Sequence, residues 1–144
     1  MTAPDPRRDP LLKLTLRCGS VYYFQDRHFS SGEPHYFIVI NADPLCDVAL
    51  LLVVSSTKLQ KVRERCRNLP ADTLVYVAPG EYKEFSDPSI IDCNNIVERP
   101  LSLLLEKRRE KKLGCLADFP QVLLAKIIAG VHKSPIHKPA LKAR

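Results

Sequence analysis

The sequence predicts an α+β fold: mainly antiparallel β-structure, curled into a small barrel or a strongly bent sheet, with helices at its edge. Three observations lead there. Residues 48–54, VALLLVV, are apolar throughout and stop abruptly at Ser55, Ser56 and Thr57. A continuous apolar run of this length, rich in β-branched residues and ended by turn formers, reads as a strand buried on both faces. Other short stretches rich in β-branched and aromatic residues recur along the chain with short connections, giving about six strands in all. Helical spacing occurs only after the central strand, as one helix, and in the C-terminal third, as two helices. Antiparallel strands with segregated helices define the class.

The chain has 144 residues, a length for one domain. Its expected parts are a disordered lead-in over 1–10, a single domain over 11–131 and a basic flexible tail over 132–144. Hydrophobic residues make up 45%, enough for a real core. No apolar run approaches the roughly 18 residues of a membrane span. The opening MTAPDPRRDP lacks the apolar region of a signal peptide. The five cysteines, at 18, 46, 66, 93 and 115, form no CxxC pair. Their odd number and the missing signal predict reduced thiols and a cytoplasmic location. The four histidines are scattered and none lies at ligand spacing from a cysteine, so neither a zinc site nor a cofactor is expected. The formal net charge of +6 favours anionic partners. The surplus is concentrated at 58–67 and 132–144, where a solvated helix face or a soluble tail explains it equally well.

In chain order, residues 11–17, LLKLTLR, alternate apolar and polar and predict a half-buried strand. Cys18, Gly19 and Ser20 form a turn, and 21–24, VYYF, a second strand. Residues 25–34, QDRHFSSGEP, lack periodicity and form a loop whose length suits function. Residues 35–41 form a strand, and 41–44, NADP, a turn. After the central strand, Ser55, Ser56 or Thr57 can cap a helix at about 58–67, with Leu59, Val62 and Cys66 on one face. Residues 73–77 and 89–93 are strands, with a turn at 78–81 and a short helical turn at 82–85. Pro100 starts a helix to about residue 112, which Gly114 breaks. Asp118 caps a last helix over about 119–131.

The chain resembles the MazF/PemK toxins of bacterial toxin–antitoxin modules over roughly residues 17–105. Residues 17–22, RCGSVY, are similar to the family's opening strand. A loop ending near Gly32 precedes an apolar strand with Asn41 at its end. Residues 53–61, VVSSTKLQK, resemble the end of the family's central strand, and 87–96, DPSIIDCNNI, the segment leading into its C-terminal helix. The resemblance implies an SH3-like barrel, a homodimer, and a metal-independent endoribonuclease neutralised by an acidic antitoxin. In the family an arginine of the loop works with a threonine at the central strand's end. Here the arginine position falls on Pro34 and the threonine position on Ser56, so the hydroxyl is kept in kind and the cation is not.

Metal-free RNA cleavage needs a base for the ribose 2′-OH, an acid for the leaving 5′-oxygen and donors for the charged phosphorane. Histidine suits both proton transfers, and cations and N–H groups suit the third role. His35 and Ser56 are therefore the candidate catalytic residues. If 35–41 and 48–54 pair antiparallel, the two fall at the same end of the sheet. Arg27, His28, Ser55, Thr57 and Lys58 are the candidate substrate-binding residues. Each has a plainer role open to it: a surface histidine, a helix cap, a solvated loop. Tyr22, Tyr23, Tyr36 and Phe37 can stack on bases or fill a core. No Gly-rich phosphate loop or G-x-S-x-G elbow occurs, and a cysteine nucleophile stays open. The expected function is a toxin-component ribonuclease acting on single-stranded RNA. The alternative is a non-catalytic SH3-like module that binds nucleic acid or a protein partner, and a third possibility is a regulatory subunit whose basic helix 58–67 docks an acidic chain.

Overall fold

The computed structural model describes residues 5–27, 29 and 32–142. In chain order its elements are α1 Pro10–Thr15, β1 Val21–Phe24, β2 His35–Val39, β3 Leu50–Ser56, α2 Leu59–Arg65, β4 Leu74–Val77, β5 Ser89–Asp92, β6 Val97–Arg99, α3 Leu101–Arg109, β7 Gly114–Leu116, α4 Gln121–Lys133 and α5 Pro139–Lys142. The strands pair antiparallel into one open sheet ordered β4-β5-β3-β2-β1-β7. β6 also lies against β3, on the edge that β5 uses. The class is α+β, as expected.

The apolar run becomes the central strand because both of its faces are covered. Leu50 and Leu52 point to one side, where they join Tyr22, Phe24, Phe37 and Val39 beneath α1 and α3. Leu51 and Val53 point to the other, where they join Val21, Ile38 and Ile91 beneath α4. Alternate side chains of a strand face opposite ways, so a strand between two helical layers must be apolar at every position. The strand begins two residues later than the run: Val48 is 92% exposed in the preceding connection.

β5 and β6 run as one interrupted strand along β3. Ser56 pairs with Ile90 and Ser55 with Ile91, and the ladder resumes at Leu52 with Val97. Between these pairings the segment 93–96 bulges out of the sheet. α2 closes over this end, setting Val62 and Cys66 on Ile90.

Residues 11–17 are the main correction. They form α1 instead of a strand, with Asp9 accepting the Leu12 N–H at 3.1 Å and Pro10 in the first turn. Leu12 and Leu16, four apart, are buried, while Leu14 is 73% exposed. The alternating pattern hid a helical pair behind an exposed leucine. Two short strands, β6 and β7, lie where none was expected. Each has only three residues and pairs with one neighbour, too little for a periodic signal. The three expected helices are present as α2, α3 and α4. Asp118 does not cap α4: Pro120 precedes that helix without a side-chain cap, and Asp118 pairs with Arg17 at 2.6 Å.

Parts of the expected lead-in and tail are packed. Pro6–Arg8 form a 3₁₀ turn, and Arg7 donates to the carbonyls of Leu45 and Asp47. Ser134 is fully buried, and His137 Nε2 lies 2.6 Å from the Cys93 carbonyl. No helix among the described residues is long and apolar enough to cross a membrane.

Two stability predictions follow from the packing. Leu51→Ala should cost about 2–5 kcal/mol in urea denaturation, because the site is sealed on both sides. A cost below that range would mean the strand relaxes into the void. Gly130→Ala tests the seat of α4. A Cβ there would lie 2.9 Å from Cys93 Sγ and 3.0 Å from the Asp72 carbonyl. Alanine gains about 1 kcal/mol of helix propensity over glycine, but forcing the helix off its seat costs about 1–3 kcal/mol. Net destabilisation is expected, and a stabilised variant would refute the close approach.

Candidate functional site

β2 and β3 pair with Phe37 opposite Val54 and Ile38 opposite Val53. Beyond this ladder, His35, the first residue of β2, and Ser56, the last of β3, lie at the same end of the two strands. Both side chains leave the sheet on the face of Phe37 and Val54, just beyond the apolar packing. They open into a cleft of about 460 Å³ lined also by Pro34, Ser55, Thr57 and Lys58. Five of the seven expected site residues therefore meet at one rim.

The other two do not join them. Arg27 is turned toward α3, with Nη2 3.9 Å from Glu106 and its side chain 79% exposed. His28 lies outside the described residues.

Each convergent residue has a local cause. His35 is half-buried, its ring edge-on to Phe29 at 5.0 Å and to Phe37 at 6.4 Å. These contacts limit the rotamers of the imidazole. Ser56 Oγ accepts the Lys58 N–H at 3.1 Å, which shapes the turn from β3 into α2. That residue pair does not cap the helix, since Lys58 itself precedes α2 without a side-chain cap. Ser55 is buried on the opposite face, beside β5. Of the aromatics, Tyr22 and Phe37 are core. Tyr36 lines the cleft, and burial followed by the nearby Tyr23 and Glu84 pushes its phenol up.

The far wall holds residues that sequence patterning did not single out. Arg65 comes from α2, Glu84 from the turn before β5, Asp92 from the end of β5 and Asn95 from the bulge. Asp92 is buried and collects donors: Arg65 Nη2 at 3.1 Å, Cys66 Sγ at 3.4 Å, and the Asn94 N–H at 2.9 Å. Arg65 was visible only as one cation of a basic helix, and no local pattern marks Asp92 as its partner. Carboxylates outnumber cations on the lining: Glu33, Glu84, Asp87 and Asp92 against Lys58 and Arg65.

The cysteines are poorly suited to attack as thiolates near neutral pH. Burial pushes up the thiols of Cys18, Cys66, Cys93 and Cys115, and a hydrogen bond with Asp43 pushes up that of Cys46. Among the described residues, no group of three or more His, Cys, Asp or Glu side chains is placed to hold a metal ion.

No protein-family model matches the chain, and no curated protein matches it.

The buried ionisable groups give the stability a defined alkaline limit. Burial raises Cys93 from 9.0 to about 12 and Tyr22 from 10.0 to about 12. Above the ordinary values the unfolded chain has lost protons that the native state still holds. Stability must then fall as pH rises, from about 9 to about 12, with no contribution from these groups at lower pH. Urea midpoints measured across this window should decline, and Cys93→Ala should make the decline shallower. An unchanged slope in that variant would exclude the Cys93 contribution.

Proposed function

We propose that the cleft binds single-stranded RNA and cleaves it without a metal ion, His35 transferring the proton and Ser56 holding the ribose or phosphate. The observation that carries this reading is that His35 and Ser56, at the adjoining ends of the antiparallel strands β2 and β3, both line the cleft. In the proposed reaction a base removes the 2′-OH proton and O2′ attacks phosphorus. The P–O5′ bond breaks, and an acid protonates the departing 5′-oxygen, leaving a 2′,3′-cyclic phosphate. His35 and Glu84 are two groups on one cleft that can divide the proton transfers. Thr57 and Lys58 offer donors to the phosphate. Tyr36 and Phe29 offer faces on which unpaired bases can stack.

In the same reading the sheet is an SH3-like barrel left open on one side. Support comes from β3, which carries β2 on one edge and both β5 and β6 on the other. The chain would then act as the toxin of a cytoplasmic toxin–antitoxin module. It would be a homodimer, with an acidic antitoxin docking on its basic surface.

The excess of carboxylates on the lining favours a second reading, a non-catalytic module of the same fold that binds a protein partner or nucleic acid. Four acids facing two cations weaken attraction for a phosphate chain.

Incubation with a mixed RNA pool, with and without EDTA, separates the two. The first reading expects cleavage that survives EDTA and leaves 2′,3′-cyclic ends. His35→Ala should lower the rate by about two to four orders of magnitude, with little change in thermal stability. Wild-type protein that leaves RNA intact under all conditions would favour the binding module. Equal cleavage by His35→Ala would remove His35 from the mechanism.

A further inference from the structure

We propose that the Arg65 guanidinium is the phosphate-binding group of this cleft, aimed by the buried carboxylate of Asp92; the inference rests on the RNA-binding reading of the same cleft. Arg65 differs from the other cations of the basic stretch 58–67 in how it is held. Its helix is seated by Val62 and Cys66 on Ile90. Asp92 engages the guanidinium through Nη2 at 3.1 Å. The carboxylate is itself fixed from the other side, where Oδ1 accepts the backbone N–H of Asn94 at 2.9 Å and its Nδ2 at 3.0 Å. Asp92 is thus immobilised, and it constrains one nitrogen of a planar fork that has five N–H donors in all. The Arg65 side chain remains 59% exposed on the cleft wall that faces His35 and Ser56.

An arginine tethered by one nitrogen and open on its remaining edges is arranged to accept a second anion without reorganising. Surface lysines lack this, because a flexible stem must be ordered upon binding. Arg63, two residues earlier on the same helix, is placed elsewhere, with its guanidinium 5.8 Å from the centre of the Tyr76 ring. It does not line the cleft. The two arginines carry the same charge on the same helix, so they separate a specific phosphate contact from the general field of the basic surface.

Two measurements on the full chain test the proposal: affinity for a mixed-sequence 2′-O-methyl RNA oligonucleotide at several salt concentrations, and cleavage of the matching unmodified RNA. Wild-type protein should bind with a log–log salt slope that Arg65→Gln reduces by about 0.7, the share of one phosphate contact. Arg65→Gln should also lower the cleavage rate by about 10²–10³, as expected for loss of one transition-state donor. Arg65→Lys should keep the slope and lose part of the rate, and Arg63→Gln should leave the rate unchanged. Asp92→Asn, a change to the positioning residue that also anchors α2, should lower thermal stability and kcat while leaving binding near wild type; a purely structural role would lower stability and leave the kcat of the folded protein unchanged. If wild type cleaves RNA and Arg65→Gln binds and cleaves equally well, the inference is overturned and the ribonuclease reading stands. If wild type binds the oligonucleotide but cleaves nothing, while Arg65→Gln loses the slope, the anion site stands and the ribonuclease reading falls. If wild type neither binds nor cleaves, both fall.

Discussion

The Asn41 side chain holds the register on which the rest of the sheet depends. β3 is apolar on both faces, so it has no polar alternation to tell one register from the next. A slip of one residue would exchange Leu50 and Leu52 for Leu51 and Val53 at almost no cost in polarity. Asn41 supplies the missing specificity just past the end of β2. Its amide is wholly buried; Oδ1 accepts the Leu51 N–H at 2.6 Å, and Nδ2 donates to Asp47 at 2.6 Å and to the Ala49 carbonyl at 3.1 Å. The neighbouring Ile40 N–H donates to the Leu51 carbonyl at 3.0 Å. Any other register would leave these buried groups unmatched, and a single unsatisfied buried donor costs about 1–3 kcal/mol. His35 and Ser56 lie just beyond the far end of the same ladder.

Polar structure then gathers where the layers end. The bulge between β5 and β6 releases residues 93–96 from the sheet, and the residue just before it, Asp92, becomes the anchor for α2 through Arg65 and Cys66. At the other end of the same run, Arg99 donates to the buried Asp26 at 2.6 Å and fastens the connection that follows β1. Buried carboxylates are tolerated only with such partners. Here they tie the interrupted edge of the sheet to a helix at one end and a loop at the other. The polar lining of the cleft is tied in place by Asp92, and α2 on its wall is seated on Ile90.

The C-terminal segment completes the second layer. α4 covers the Leu51–Val53 face, and Gly130 lets it approach Cys93 and the Asp72 carbonyl closely. Lys133 at its end pairs with Asp72 at 2.5 Å, which holds that carboxyl below its ordinary value. The chain then continues through buried Ser134 to His137, which meets the Cys93 carbonyl. The basic charge of this segment is therefore carried on a packed framework.

The sequence by itself determined the central strand, the three longer helices and the strands at 21–24, 35–39, 74–77 and 89–92. Each is encoded locally, by an apolar run or by a period of two or three to four residues. Sequence also made legible that His35 and the hydroxyls at 55–57 share one end of the sheet, because β2 and β3 are joined without a crossover element and return antiparallel. Tertiary structure decided the rest. It made 10–15 a helix, since Leu12 and Leu16 had a sheet to pack on and Leu14 did not. It created β6 and β7, whose three residues are strands only because β3 and β1 offer open edges. It sent Arg27 away toward Glu106 and brought Arg65, Glu84 and Asp92 onto the cleft. Those residues lie far from His35 along the chain, and the bulge and the helix that carry them arise from pairing and packing between distant segments. No period or local motif in a single chain records such encounters.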